Sequence, residues 1–119
     1  MIEITLADYA NPAHAQAVVN MLDMYAKDPM GGGEGISEEV KDNLIKEMAK
    51  RDNVFSLLAF DGDQPVGVVN CVEGFSTFAA KPLMNIHDIA VVDEYRGQGV
   101  AQKLLEEVDL AERSKAQIL

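Results

Sequence analysis

Ten Lys and Arg residues face 20 Asp and Glu, and the 119-residue chain has a single cysteine. With Cys71 alone no internal disulfide framework can form, and a lone thiol in an apolar, strand-like run suits a reducing cytoplasm. There is no run of about 18 apolar residues, so no membrane span is expected. The start, Met1-Ile2-Glu3-Ile4, lacks the basic and apolar regions of a secretory signal. Internal repeats, low-complexity stretches and interdomain linkers are also absent, and a chain of this length makes one domain, 1–119. The shortage of positive charge leaves a formal charge of −10. Such a field repels phosphate backbones, which argues against general nucleic-acid binding, and it favours cationic substrates such as amines. Acidity that merely aids solubility is the plainer reading of the same number.

Apolar residues at 48% and charged residues at 25% are an ordinary globular composition. Ile2, Ile4 and Leu6 alternate with Glu3 and Thr5, the period of a half-buried strand. Asn11-Pro12 reads as an N-cap followed by proline at the first helical position. Ala15, Val18, Leu22 and Tyr25 then give the helix an apolar stripe. Asp28 to Gly35 is a glycine-rich loop, and Ser37 caps a second helix with Glu38 and Glu39 in its first turn. Val54–Phe60 and Pro65–Val72 flank Asp61-Gly62, a strong hairpin signal. Gly74–Pro82 reads as a loop carrying Phe75 and Phe78, and Asn85–Val92 as a further strand. Val100, Leu104, Leu105 and Val108 mark a helix ending near Ser114, and Ala116-Gln117-Ile118-Leu119 reads as the start of one more strand. The expected order is β-α-α-β-β-β-α-β, an α/β (α+β) arrangement with a mixed, mostly antiparallel sheet.

Chemistry is concentrated in Ile89-Ala90-Val91-Val92-Asp93-Glu94-Tyr95-Arg96-Gly97-Gln98-Gly99-Val100-Ala101. A strand ends, a turn supplies two glycines, and a helix begins at once. Glycine lets backbone N–H groups approach an anion closely. The first helical N–H groups have no internal partner, and the macrodipole adds about half a positive charge there. The combination is a phosphate site, with Arg96 adding a permanent cation. The dinucleotide pattern needs a third glycine, and the triphosphate loop needs Gly-Lys-Ser/Thr; neither is present.

Arg96-Gly97-Gln98-Gly99-Val100-Ala101 resembles the R/Q-x-x-G-x-G/A signature of the GCN5-related N-acetyltransferase (GNAT) family. The flanking Ile89-Ala90-Val91 strand, Tyr95, the preceding hairpin and the two N-terminal helices resemble it too, over nearly the whole chain. The resemblance implies acetyl-coenzyme A as the acyl donor and direct transfer to a small or peptidyl amine. It implies that backbone groups of Ile89 and Val91 pair with the pantetheine arm. Amides of Gly97, Gln98, Gly99, Val100, Ala101 and Gln102 would hold the pyrophosphate, with Arg96 at the rim. No metal is implied.

Direct transfer requires an amine stripped of its proton. His87 is one candidate base: histidine changes charge near neutral pH, and strict alternation would put His87 on one face with Ile89 and Val91. It also resembles the second histidine of the His-x-His pair of arylalkylamine acetyltransferases, with Asn85 in the first position. A satisfied structural histidine is the equal alternative. Glu73, at the end of the preceding strand, is a weaker candidate. Asp88 reads as structural, His14 as a helix-start residue, and Cys71 as a small core residue. Met30–Gly35 and Phe75–Phe78 are the loops expected to shape the acceptor pocket.

Members of the family continue past the last strand with a helix, which usually carries a tyrosine for the leaving thiolate, and a hairpin. Tyr9, Tyr25 and Tyr95 are the tyrosines of this chain, and none stands there. The chain therefore reads as C-terminally truncated, which weakens the expectation of catalysis relative to coenzyme A binding. Uncovered apolar surface on the Asn85–Val92 strand and last helix points to a homodimer. A catalytically silent coenzyme A-binding module and an acidic interaction protein are the rival readings.

Overall fold

The computed structural model of the protein describes residues 1–29 and 32–118, with side-chain surroundings through Ala111. The helix starts follow the capping chemistry of the sequence. Asn11 Oδ1 accepts from the amides of Ala13 and His14 at the head of α1 (Pro12–Lys27), with Pro12 in its first turn. Ser37 Oγ accepts from the Val40 amide at the head of α2 (Glu38–Ala49). Each cap satisfies a backbone donor that the helix itself cannot. The strands are β1 (Ile2–Leu6), β2 (Val54–Asp61), β3 (Gln64–Ser76) and β4 (Lys81–Val91), followed by α3 (Val100–Ile118).

The strands form one sheet in the order β1-β2-β3-β4, antiparallel throughout. Alternate residues serve two cores. Leu58, Val68 and Ala90 pack with Ala17, Val18 and Met21 of α1, and Ile45 and Met48 of α2 lie against them. On the other face Leu57, Ala59, Val69, Met84 and Val91 pack with Val100, Leu104 and Val108 of α3. That four-residue spacing is the buried stripe of an amphipathic helix, and burying each such side chain contributes about 1.5–3 kcal/mol.

Three expectations are corrected. The strand expected at Ala116-Gln117-Ile118-Leu119 is helix as far as it is described: α3 continues through Ile118, and Leu119 lies outside the described residues. Neither glycine nor proline interrupts the sequence from Val100 onward, and Lys115, Ala116 and Gln117 are good helix formers, so nothing stops the helix at Ser114. Gly74–Pro82 is not a loop. β3 runs on to Ser76 and β4 starts at Lys81, paired through Phe75↔Pro82 and Ser76↔Lys81. Here the cross-strand partner overrides the poor strand propensity of Gly74 and Pro82.

The third correction concerns alternation along β4. Asn70 pairs with Asp88, and the next residue, Cys71, pairs with Ile86. His87 is thus an extra residue, a β-bulge that shifts the side-chain phase of the strand. Its consequence is visible in the core, where Met84 shares the α3 face with Ile89 and Val91. An unbroken strand would put residues five apart on opposite faces.

Candidate functional site

Asp93–Tyr95 forms a single 3-10 turn after β4. The Tyr95 hydroxyl donates to the Asp61 carboxylate on the β2–β3 hairpin, and its ring packs against the α3-face core. That bond holds Asp61 below the ordinary carboxylate range and raises the Tyr95 phenol. The aromatic before Arg96 therefore pins the turn to the sheet. Gly97 and Gly99 follow with φ of +78° and +82°, a region that L side chains rarely adopt. A Cβ at either position would meet nothing within 4 Å. These glycines thus serve a backbone conformation facing open space, not a packing contact. The Gly99 carbonyl accepts the Lys103 amide to begin α3. Val100 is buried, while Gly97, Gln98, Gly99, Ala101 and Gln102 are exposed, so the unpaired first-turn amides face an accessible space fitted to an anion.

What sets the position of α3 is a residue the sequence reading passed over. A Cβ on Gly67 of β3 would lie 3.1 Å from Val100 Cγ1, 3.2 Å from Leu104 Cδ1 and 3.3 Å from the Ala90 carbonyl. The first turn of α3 rests directly on the β3 backbone. The available signal was a glycine inside an apolar strand run, which often marks close backbone approach.

Arg96 is committed locally. Its Nε lies 3.5 Å from the Val91 carbonyl and 3.2 Å from Asp93 Oδ1, and its Nη2 lies 3.7 Å from Asp28 Oδ2. The side chain ties the turn to the C-terminal end of α1. Beside it opens a cavity of about 270 Å³ whose lining includes Met24, Tyr25, Asp28, Ala90, Asp93 and Arg96.

The β4 edge next to this cavity carries outward-facing backbone groups. Val92 donates to the Val66 carbonyl across the ladder, and hydrogen-bonded pairs alternate along antiparallel strands. The pairs Val69↔Ile89 and Gly67↔Val91 are therefore of the other kind, with their N–H and C=O groups turned away from the partner strand. Those of Ile89 and Val91 point to the open edge, where the Val91 carbonyl meets Arg96.

The candidate bases are not gathered together. His87 is exposed in the bulge. Glu73 pairs with Met84 in mid-strand, three residues beyond Asn70, which is about 10 Å along the sheet from the Asp88 level. Cys71 is buried, and burial pushes its thiol up to about 11, so it is a core residue and no nucleophile. His14 accepts the Asp8 amide on Nδ1. Phe75 and Phe78 project into solvent at the β3–β4 turn; of the Met30–Gly35 loop, Met30 and Gly31 lie outside the described residues. Among the described residues no group of His, Cys, Asp and Glu is placed to hold a metal, and no helix is long and apolar enough to cross a membrane.

A file of polar side chains crosses the α1 face of the sheet. The hydroxyls of Tyr9 and Ser56 are 2.7 Å apart, Ser56 Oγ donates to Asn70 Oδ1 at 2.6 Å, and Asn70 Nδ2 donates to Asp88 Oδ2 at 3.2 Å. Asp88, read as structural from the sequence, is the end of this file. Polar Ser56 and Asn70 inside otherwise apolar strand runs were the missed signal.

Several acetyltransferases are similar to the chain in sequence or in fold. A curated relative, an uncharacterised N-acetyltransferase of Archaeoglobus fulgidus, is 35% identical over 65 residues, which are 54% of this chain and 44% of that protein. The alignment thus spans less than half of the relative's length. A GNAT family acetyltransferase from Staphylococcus aureus superposes with a TM-score of 0.78 at 16% identity, covering 97% of this chain and 80% of that one. An aminoglycoside acetyltransferase from an uncultured soil metagenomic sample, in complex with sisomicin, gives 0.79 at 17% identity over 97% and 72% of the two chains. For ribosomal-protein-alanine N-acetyltransferase from Brucella melitensis the TM-score is 0.75 at 16% identity, over 97% and 73%. At such identities these structures establish the fold alone. The sequence profile of the acetyltransferase (GNAT) family matches residues 18–116, which take in both glycines of the turn, the edge of β4 and the start of α3. With fold, turn and profile in agreement, the chain belongs to the acetyltransferase (GNAT) family.

Proposed function

We propose that the chain binds acetyl-coenzyme A across the β4 edge and the head of α3, and transfers the acetyl group directly to an amine. The observation that carries this reading is the pair of left-handed glycines, Gly97 and Gly99, opening onto free space before α3. The amides from Gly97 to Gln102 would take the pyrophosphate, and the outward groups of Ile89 and Val91 the pantetheine amides. Pairing at Val91 requires Arg96 to give up that carbonyl, with Asp93 and Asp28 as its remaining partners.

In the transfer, the acceptor nitrogen attacks the thioester carbonyl carbon, the carbon–sulfur bond breaks to release coenzyme A as its thiolate, and the nitrogen gives up a proton to the base. His87, exposed beside the Asp88 level of β4, is the proposed base, with Glu73 the more distant alternative. A net charge of −10 favours a cationic acceptor. The names of the aminoglycoside and ribosomal-protein-alanine acetyltransferases accord with an amine, small or peptidyl. A second reading, coenzyme A binding without turnover, draws on the separation of Glu73 from the His87 bulge.

Calorimetry with coenzyme A tests the donor site, and thioester turnover against an amine panel tests transfer. Binding without turnover selects the second reading, and no binding overturns both. We also propose a homodimer. Phe75, Phe78, Leu83 and Ile86 at one end of the sheet and Leu105 and Leu110 on α3 are exposed apolar groups that a second copy would cover. A monomer by light scattering at micromolar concentration refutes that part alone. A cytoplasmic setting accords with the buried free thiol of Cys71.

A further inference from the structure

The direction of the polar file follows from counting protons. Asn70 Oδ1 can only accept, so Ser56 spends its single hydroxyl proton there. Tyr9 must then be the donor in its contact with Ser56. Burial raises the Tyr9 phenol and keeps it protonated. Every donor in Tyr9→Ser56→Asn70→Asp88 therefore points the same way, and the file ends on a carboxylate oxygen. Hydrogen bonds so aligned polarise one another.

Such a file is a poor way to stabilise a sheet. Ser56 and Asn70 are 0% and 4% exposed and sit between apolar neighbours, where apolar residues of like shape would be neutral or better. The file ends one same-face position from the cavity beside Arg96. Asp88 shares the α1 face with Ala90, two residues on, which lines the cavity beside Arg96; that is about 7 Å along the strand. Only Oδ2 is used by the file, and the residue is not fully buried.

We propose that Asp88 is the anionic ligand for the ammonium group of the acceptor, and that Asn70, Ser56 and Tyr9 are positioning residues that fix its carboxylate. This rests on the acetyltransfer reading for the identity of the acceptor, but the binding itself can be measured without turnover.

The test is NMR titration of the folded chain, with and without saturating coenzyme A, using butylammonium and, as its uncharged counterpart, butanol. The expected result is a preference for butylammonium of about tenfold or more, the scale of one hydrogen-bonded charge pair. Asp88→Asn abolishes the preference, and Asn70→Leu and Tyr9→Phe diminish it. Tyr9→Phe, at the part-exposed end of the file, keeps the test open where Asn70→Leu fails to fold. With turnover, Tyr9→Phe raises KM for alkylamines several-fold while kcat and coenzyme A affinity stay within about twofold, a split that general loss of structure does not produce. Equal affinity for the two probes in the wild-type chain overturns the proposal, as does a preference that survives Asp88→Asn. Absent coenzyme A binding with an intact butylammonium preference refutes the donor site and leaves the Asp88 assignment standing.

Discussion

Gly67→Ala is a small change with a consequence at a distance. The added methyl would stand 3.1 Å and 3.2 Å from Val100 and Leu104 side-chain carbons and 3.3 Å from the Ala90 carbonyl. The carbonyl belongs to the β3–β4 ladder and cannot move without breaking it, so α3 must shift outward by a few tenths of an ångström. Overpacking of this kind costs about 1–3 kcal/mol, which for a domain of this size lowers Tm by roughly 4 to 12 °C. The shift begins at Val100, the first residue of α3, whose amide is assigned to the pyrophosphate. Misplacing one charge-assisted hydrogen bond weakens coenzyme A binding about tenfold. Thermal denaturation and calorimetry with coenzyme A measure the two effects. Gly62→Ala is the control: at φ +62° with open space around it, the variant is strained by about 1–2 kcal/mol but remote from α3, and it leaves coenzyme A affinity unchanged. A Gly67→Ala chain with native Tm and affinity would refute the buttress.

Gly99→Ala and Gly99→Asp carry the same backbone strain at φ +82°, but only the second sets a carboxylate before the helix N-terminus; coenzyme A affinity falls modestly in Ala and is lost in Asp by calorimetry. Tyr95→Phe removes the hydroxyl that binds Asp61 and loosens the turn, weakening coenzyme A while the circular dichroism spectrum stays native. Asp61, Asp23 and Glu47 are held below the ordinary carboxylate range by hydrogen bonds from Tyr95, Lys27 and Lys50 respectively. Because their folded-state values are depressed, the stability they contribute is complete above the ordinary range, about pH 4, and is lost as pH falls from there through the depressed folded-state values. Urea midpoints decline over that window, and Asp23→Asn or Tyr95→Phe makes the decline shallower.

Local chemistry was legible in the sequence wherever a residue acts on its own neighbours. Asn11, Ser37 and Asp61-Gly62 name two helix starts and a hairpin because each signal needs only nearby backbone. Gly97 and Gly99 likewise declare a turn whose φ values demand glycine. Features decided by a distant strand stayed hidden. Gly74 and Pro82 join the ladder only because each has a partner opposite, and the His87 bulge exists only relative to Asn70 and Cys71. The Tyr9–Asp88 file joins residues 47, 14 and 18 positions apart in its successive links, separations at which no periodicity operates.

The bulge leaves β4 with one residue to spare. Without His87, Ile86 adjoins Asp88, and the pairs Asn70↔Asp88 and Cys71↔Ile86 follow one another as in an unbroken strand. Met84 is then four residues from Ile89, and both stay on the α3 face. Deleting Ala90 instead moves Asp88 and Ile89 each to the opposite face of the sheet. In a scan of single-residue deletions the mildest loss of folding within β4 therefore falls at His87, the one position where the strand carries slack.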